Sequence, residues 1–146
     1  MCIRDRRTAQ GDLAGALESY QAGLDIAEKL AAADPGNAGW QRDLSVSHNK
    51  IGDVRTAQGD LAGALESYRA SLDIREKLAA DDPGNAGWQR DLLASYDRLG
   101  DMDPNSGWHA KAADLADRLA AEGRLSPADA WIPDYLREKA EQEAAQ

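Results

Sequence analysis

Two histidines, His48 and His109, and one cysteine, Cys2, are the side chains here best suited to proton transfer, metal ligation or thiol chemistry near neutral pH. Their surroundings in the sequence give them little to work with. Ser47 precedes His48, but adjacent residues on a helix point in different directions, so they make no nucleophile–base pair. His48 is matched by Tyr96 one repeat later, which marks a packing position, and His109 reads as a surface residue near a helix start. No HExxH, cysteine cluster or alternating calcium-loop acids occur, so neither a metal nor a cofactor is expected. The glycine-bearing segment Asp34-Pro35-Gly36-Asn37-Ala38-Gly39 lacks the Lys-Ser/Thr of a phosphate-binding loop and recurs as a connector. Catalytic residues are not expected, and the chain reads as a non-enzyme.

Recognition is the better-supported chemistry. Asn49, Asp53 and Thr56 are spaced by four and three, which on a helix is one face, turned away from Leu44, His48 and Ile51. Asp97 and Asp101 occupy the equivalent places downstream, followed by Pro104. These five residues, Asn49, Asp53, Thr56, Asp97 and Asp101, form a polar face that is the candidate recognition set, with Arg42 and Arg90 nearer its edge. Trp40 and Trp88 begin equivalent apolar stripes, so they read as packing residues rather than ligand platforms.

The elements that would position these residues come from a repeat. Arg7 to Val54 and Arg55 to Met102 align without a gap at a period of 48 residues, with about three quarters of positions identical. Within the unit, Leu61, Leu65, Tyr68, Leu72 and Leu78 share one face of a helix predicted from Asp60 to about Ala80. Gly59 suits the left-handed end of the preceding helix, and Asp60 can accept the first free amides of the next. Asp82-Pro83-Gly84-Asn85 is a turn with Asn85 as the cap of the following helix. Trp40, Leu44, His48 and Ile51 define a second helix, Ala38 to Ala57. Gly52 and Gly100 lie inside such helices at a cost of about 1 kcal/mol relative to alanine, which close approach of a neighbouring helix would offset. A third, degenerate unit keeps register through Gly107 and Ala112, with a helix from Trp108 to Ala121. Ser126-Pro127-Ala128-Asp129 opens a last helix, restarted or kinked at Pro133, whose polar end from Arg137 is expected to fray.

The Ile51-Gly52 pair, the Gly59-Asp60 turn, then Ala64, Tyr68 and Ser71 resemble a tetratricopeptide repeat. Leu99-Gly100, Gly107, Ala112, Ala116 and Leu119 follow the same pattern downstream, and Gly11-Asp12, Ala16, Tyr20 and Gly23 follow it upstream. The resemblance is to the longer-unit arrays of kinesin light chain type and of bacterial signalling proteins. His48 or Tyr96, Arg55 and Ser71 depart from the family's common Trp, Tyr and Ala. It implies an all-α fold, an α-solenoid of stacked antiparallel helix hairpins with a C-terminal capping helix. It also implies that Asn49, Asp53, Thr56, Asp97 and Asp101 line a concave groove holding a peptide. The groove is acidic and lacks the Lys-rich clamp of some family members, so the partner implied is a protein or peptide of basic character. The alternative is a regulatory array of a larger signalling protein whose catalytic or NTPase domain lies upstream.

The organisation read from the sequence is residues 1–6, repeats over 7–122 (7–54, 55–102 and degenerate 103–122), and a capping helix with tail over 123–146. Met1-Cys2-Ile3-Arg4-Asp5-Arg6 matches the translation of a transposon end used to build sequencing libraries, so these residues are expected to be an artefact on a truncated chain. The formal charge of −9 disfavours nucleic acid and anionic membranes as partners. Mean hydropathy of −0.62 with no long apolar run points to a soluble, cytoplasmic protein, and a single cysteine makes no internal disulfide. Because the first unit lacks most of its first helix, Leu13, Leu17 and Tyr20 are expected to have uncovered apolar neighbours. Self-association through that end is therefore predicted. Sedimentation velocity across a concentration series checks this; a monomer that melts cooperatively at a concentration-independent temperature counts against it.

Overall fold

The computed structural model describes residues 3–145, and the side chains of residues 11–145. The reading of residues 1–6 falls on side chains outside that range. The described residues form six α-helices and no strand: α1 (Ile3–Ala33), α2 (Ala38–Ala57), α3 (Leu61–Asp81), α4 (Ala86–Met102), α5 (Trp108–Ala121) and α6 (Ile132–Ala144). Short 3-10 turns, Pro104–Ser106 and Pro127–Asp129, precede α5 and α6. None of the helices is long and apolar enough to cross a membrane.

The helix ends follow from local chemistry. Asn37 and Asn85 accept hydrogen bonds from the amides of Trp40 at 3.0 Å and Trp88 at 3.1 Å, satisfying a free donor in the first turns of α2 and α4. Gly59 takes a φ of +83° after α2, where a side chain would be strained. There the amide of Asp60 reaches the carbonyl of Arg55 and that of Gly59 reaches Thr56, closing a Schellman turn. Asp60 then receives the amide of Gly63 at 2.9 Å. Gly107, one period after Gly59, keeps nearly the same φ of +81°. Pro104 stands where α2 has Thr56, and α4 stops at Met102 because Pro104 drives Asp103 out of helical geometry.

Gly11-Asp12 behaves differently from Gly59-Asp60. The equivalent sequence forms a turn in one copy and lies inside the continuous helix α1 in the other. A glycine permits a turn without demanding one. Gly59 follows α2, whose residues pack on α3 and hold the chain in the turned form.

The chain divides into two compact units, Met1–Ile74 and Arg75–Gln146, the division falling within α3. In the first unit α1 packs on α2, and Ile51, Val54, Ala64, Tyr68 and Leu72 are buried. Leu13 and Leu17 are half-buried, while Tyr20, Ile26 and Leu30 are exposed. In the second unit α5 packs between α4 and α6. Its core is richer in leucine: Leu78, Leu92, Leu93, Leu99, Leu115, Leu119 and Leu136 are all buried, each worth about 1.5–3 kcal/mol of transfer free energy. Arg75, which replaces Ala27 of the first copy, is buried too, and its guanidinium donates to the Asp91 carbonyl at 3.0 Å and to Ser95 Oγ at 2.9 Å.

Gly52 and Gly100, the two buried glycines among the described residues, mark close approaches. A Cβ on Gly52 would lie 2.5 Å from Cε1 of Tyr68, and one on Gly100 would lie 2.6 Å from the His109 ring. A larger residue must push the ring away. Gly52→Leu is expected to lower unfolding free energy by about 1–3 kcal/mol through overpacking, measured by urea denaturation; an unchanged midpoint would mean that the ring moves aside freely.

Candidate functional site

Each unit carries one polar cluster built around a glycine–aspartate pair. In the first, the Tyr68 ring lies on Gly52 and its hydroxyl donates to Asp53 Oδ1 at 2.6 Å. Thr56 Oγ1 donates back to the Gly52 carbonyl at 2.9 Å and stands 3.3 Å from the Tyr68 hydroxyl. Arg55 ties α2 to α3, its Nη1 donating to the Gly63 carbonyl at 3.2 Å and to Ser67 Oγ at 3.1 Å. Asp53 and Thr56 are exposed, so they remain accessible while held in place.

Asn49 lies on the same side of α2 but is not accessible there. It is buried, in a stripe with Ser45 and Gly52. The sequence pattern assigned α2 one apolar face, but the burial of Ser45, Asn49 and Gly52 shows that packing covers a second side of it.

In the second unit Asp97 and Asp101, one helical turn apart on α4, meet His109 from the start of α5 and Lys139 and Glu143 from α6. His109 was expected at the surface; it is instead only 2% exposed, because Gly100 leaves room for the imidazole against the α4 backbone. Its Nε2 lies 3.2 Å from both Asp97 Oδ1 and Asp101 Oδ1, and its Nδ1 contacts Glu143 Oε1. Lys139 Nζ lies 2.6 Å from Asp101 Oδ1 and 3.6 Å from Asp97 Oδ1. Burial works against the Lys139 charge, but hydrogen bonds to Asp101 and Tyr135 and the charges of Asp97 and Asp101 outweigh it, so its pKa rises above the usual lysine value. Among the described residues, Asp97, Asp101 and His109 are the group able to hold a metal ion, with ligand atoms all within 4.8 Å. The sequence showed no such set, since its members are not near one another along the chain in any recognised ligand spacing. The signal that was present is small: His109 stands where the preceding copy has Leu61.

Beside this cluster, a cleft of about 210 Å³ opens between α4 and α6, lined by Leu93, Ala94, Asp97, Trp131, Tyr135 and Leu136. Trp131 is 59% exposed and meets Tyr135 edge-on at 5.3 Å. Arg90 pairs with Asp129 at 3.0 Å. Trp40 and Trp88 are half-buried, and Trp108 stacks on Tyr96 at 5.9 Å. Burial raises the Tyr96 pKa, and the neighbouring Glu76 charge and hydrogen bond add to this. Comparison of the chain with protein-family models, with curated proteins and with solved structures gives no match.

His48 is half-buried on α2. Burial lowers its pKa from the ordinary 6.5, Glu28 opposing this and Arg55 adding to it. The unfolded chain thus takes up this proton at higher pH than the folded one. The contribution of His48 to stability is present above 6.5 and declines as pH falls towards its folded pKa. His48→Tyr, which installs the residue of the second copy, removes that term. Denaturant titrations at pH about 7.5 and about 5 should show the parent losing more stability on acidification than the variant; equal losses would mean that His48 titrates alike in both states.

Proposed function

We propose that the chain is an interaction scaffold, part of an α-solenoid of tetratricopeptide type, which holds extended basic peptides against the acidic faces of α2 and α4. In this reading it catalyses nothing and needs no cofactor. The helix order supports it: paired helices recur at the period of 48 residues, with glycine-based turns in register at Gly59 and Gly107.

The observation that carries the basic preference is Lys139. The chain's own ammonium group sits 2.6 Å from Asp101 and 3.6 Å from Asp97, as a lysine of a partner would. Asp53 and Asp101 are the exposed carboxylates of the two faces. Asn49 is left out of the contact set, since its burial denies it to a partner. The cleft of Trp131 and Tyr135 next to Asp97 suits the stem of a long basic side chain, whose methylenes pack on aromatic surface while the charge reaches a carboxylate. Exposed ion pairs contribute about 1 kcal/mol or less each, so a set of them with some apolar contact is consistent with roughly micromolar affinity, about −8 kcal/mol.

Fluorescence anisotropy with labelled peptides of equal length, one Lys/Arg-rich and one Asp/Glu-rich, tests the reading in chelator-containing buffer. The basic peptide should bind at micromolar concentration and weaken as salt is raised. Asp53→Asn combined with Asp101→Asn should reduce its affinity about tenfold, as expected for loss of roughly 1.4 kcal/mol. Equal or reversed preference between the peptides discards the proposal.

A further inference from the structure

We infer that Asp97, Asp101 and His109 form a binding site for one divalent transition cation of the zinc class, with Glu143 orienting the imidazole and Lys139 as a tethered competitor for the carboxylates. This goes beyond peptide binding and does not depend on it.

The argument starts from the protons on His109. Its Nδ1 faces Glu143 Oε1, and an ionised carboxylate only accepts, so Nδ1 carries the hydrogen. With the ring singly protonated at Nδ1, Nε2 is an acceptor, and it lies 3.2 Å from both Asp97 Oδ1 and Asp101 Oδ1. Neither Nε2 nor Asp97 Oδ1, both buried, has a hydrogen-bond partner. Acceptors crowded together at the edge of a buried ring repel one another unless positive charge stands among them. Lys139 supplies part of it to the carboxylates, yet leaves Nε2 without a hydrogen bond.

The two spacings from Nε2 suit a ligand set, and the three ligand atoms lie within 4.8 Å of one another. Zinc-type bonds of about 2.0–2.2 Å to nitrogen and oxygen hold neighbouring ligand atoms about 3.0–3.5 Å apart in octahedral to tetrahedral arrangements, and the observed 3.2 Å falls inside that interval. Asp97 and Asp101 are four residues apart on α4, so both carboxylates leave the same helix face one turn apart. Gly100, between them, admits the ring: a Cβ there would be 2.6 Å from Nε2. The Glu143 contact on the other nitrogen is the outer carboxylate that commonly fixes the tautomer of a metal-bound histidine. One imidazole with two carboxylates favours a borderline cation, whereas calcium seeks six to eight oxygens. Lys139, about one quarter exposed on a flexible stem, can swing out as the cation enters. The competing account is a doubly protonated His109 lying among the carboxylates with no role for a metal.

The test is calorimetric titration of the full chain, stripped with chelator and exchanged into clean buffer at pH about 7.5, with zinc, calcium and magnesium chlorides. One equivalent of zinc should bind, and calcium and magnesium should bind far more weakly. Asp101→Asn, at an exposed position, and His109→Ala should each weaken zinc binding at least tenfold. Glu143→Gln should weaken it by about 10–100-fold, the usual range for such an outer partner. Lys139→Met should tighten it, because the competing charge is gone, and Asp73→Asn on α3 should leave it unchanged. Far-UV circular dichroism checks that each variant keeps its helices. No saturable zinc binding, or binding that survives both His109→Ala and Asp101→Asn, overturns the inference and leaves the imidazolium account. Loss of affinity in Lys139→Met also overturns the competitor role. Because the peptide experiment is run with chelator present, either result stands without the other.

Discussion

Helices approach most closely where one of them has no side chain, and in this chain both such approaches are filled by a polar ring. Gly52 receives the Tyr68 ring and Gly100 receives the His109 ring. Glycine inside a helix weakens it by about 1 kcal/mol, and the buried ring offsets this with apolar contact. The consequence reaches further than packing. A ring lying on the glycine directs its polar atom toward the aspartate that follows: the Tyr68 hydroxyl to Asp53 at 2.6 Å, and the His109 Nε2 to within 3.2 Å of Asp101. The Gly-Asp pairs at 52–53 and 100–101 therefore fix where the carboxylates stand and what they meet.

The two copies reach this arrangement by different routes. Tyr68 lies well along α3, while His109 is the second residue of α5. The residue equivalent to Tyr68 is Ala116, too small to cover Gly100. Pro104 ends α4 early, the 3-10 turn and Gly107 bring the chain round, and the start of α5 supplies the ring instead. A phenol satisfies one carboxylate and closes the first cluster. An imidazole has a second nitrogen, so the other cluster extends through Glu143 to α6, where Lys139 adds its charge. Near-identical repeats thus diverge chemically through a change of the ring type at one glycine.

That divergence bears on how such a chain functions. The first cluster is a hydrogen-bonded latch with Asp53 and Thr56 at its exposed edge. The second concentrates three carboxylates, an ammonium and an imidazole around a buried nitrogen. On the two proposals a peptide would engage the outward-facing carboxylates and a cation the atoms around the buried His109 nitrogen, so the same aspartates would offer different chemistry on their two sides.

Much of the fold was legible in residue order because its determinants are local. Asn37 and Asn85 as caps, Gly59 and Gly107 in the turns, and the limits of α2 and α5 all depend on interactions within a few residues. The period of 48 residues tied those local signals to a repeated helix pair. What the order of residues left open depended on neighbours distant along the chain. Asn49 belongs by periodicity to the polar face, yet it is buried. Gly11-Asp12 has the residues of a turn, yet lies in a continuous helix. His109, seemingly a surface residue, is buried with Glu143, 34 positions away, on its ring. Sequence specifies which residues can cap, turn or pair; burial and charge depend on which helices pack against one another, and only the tertiary structure decides that.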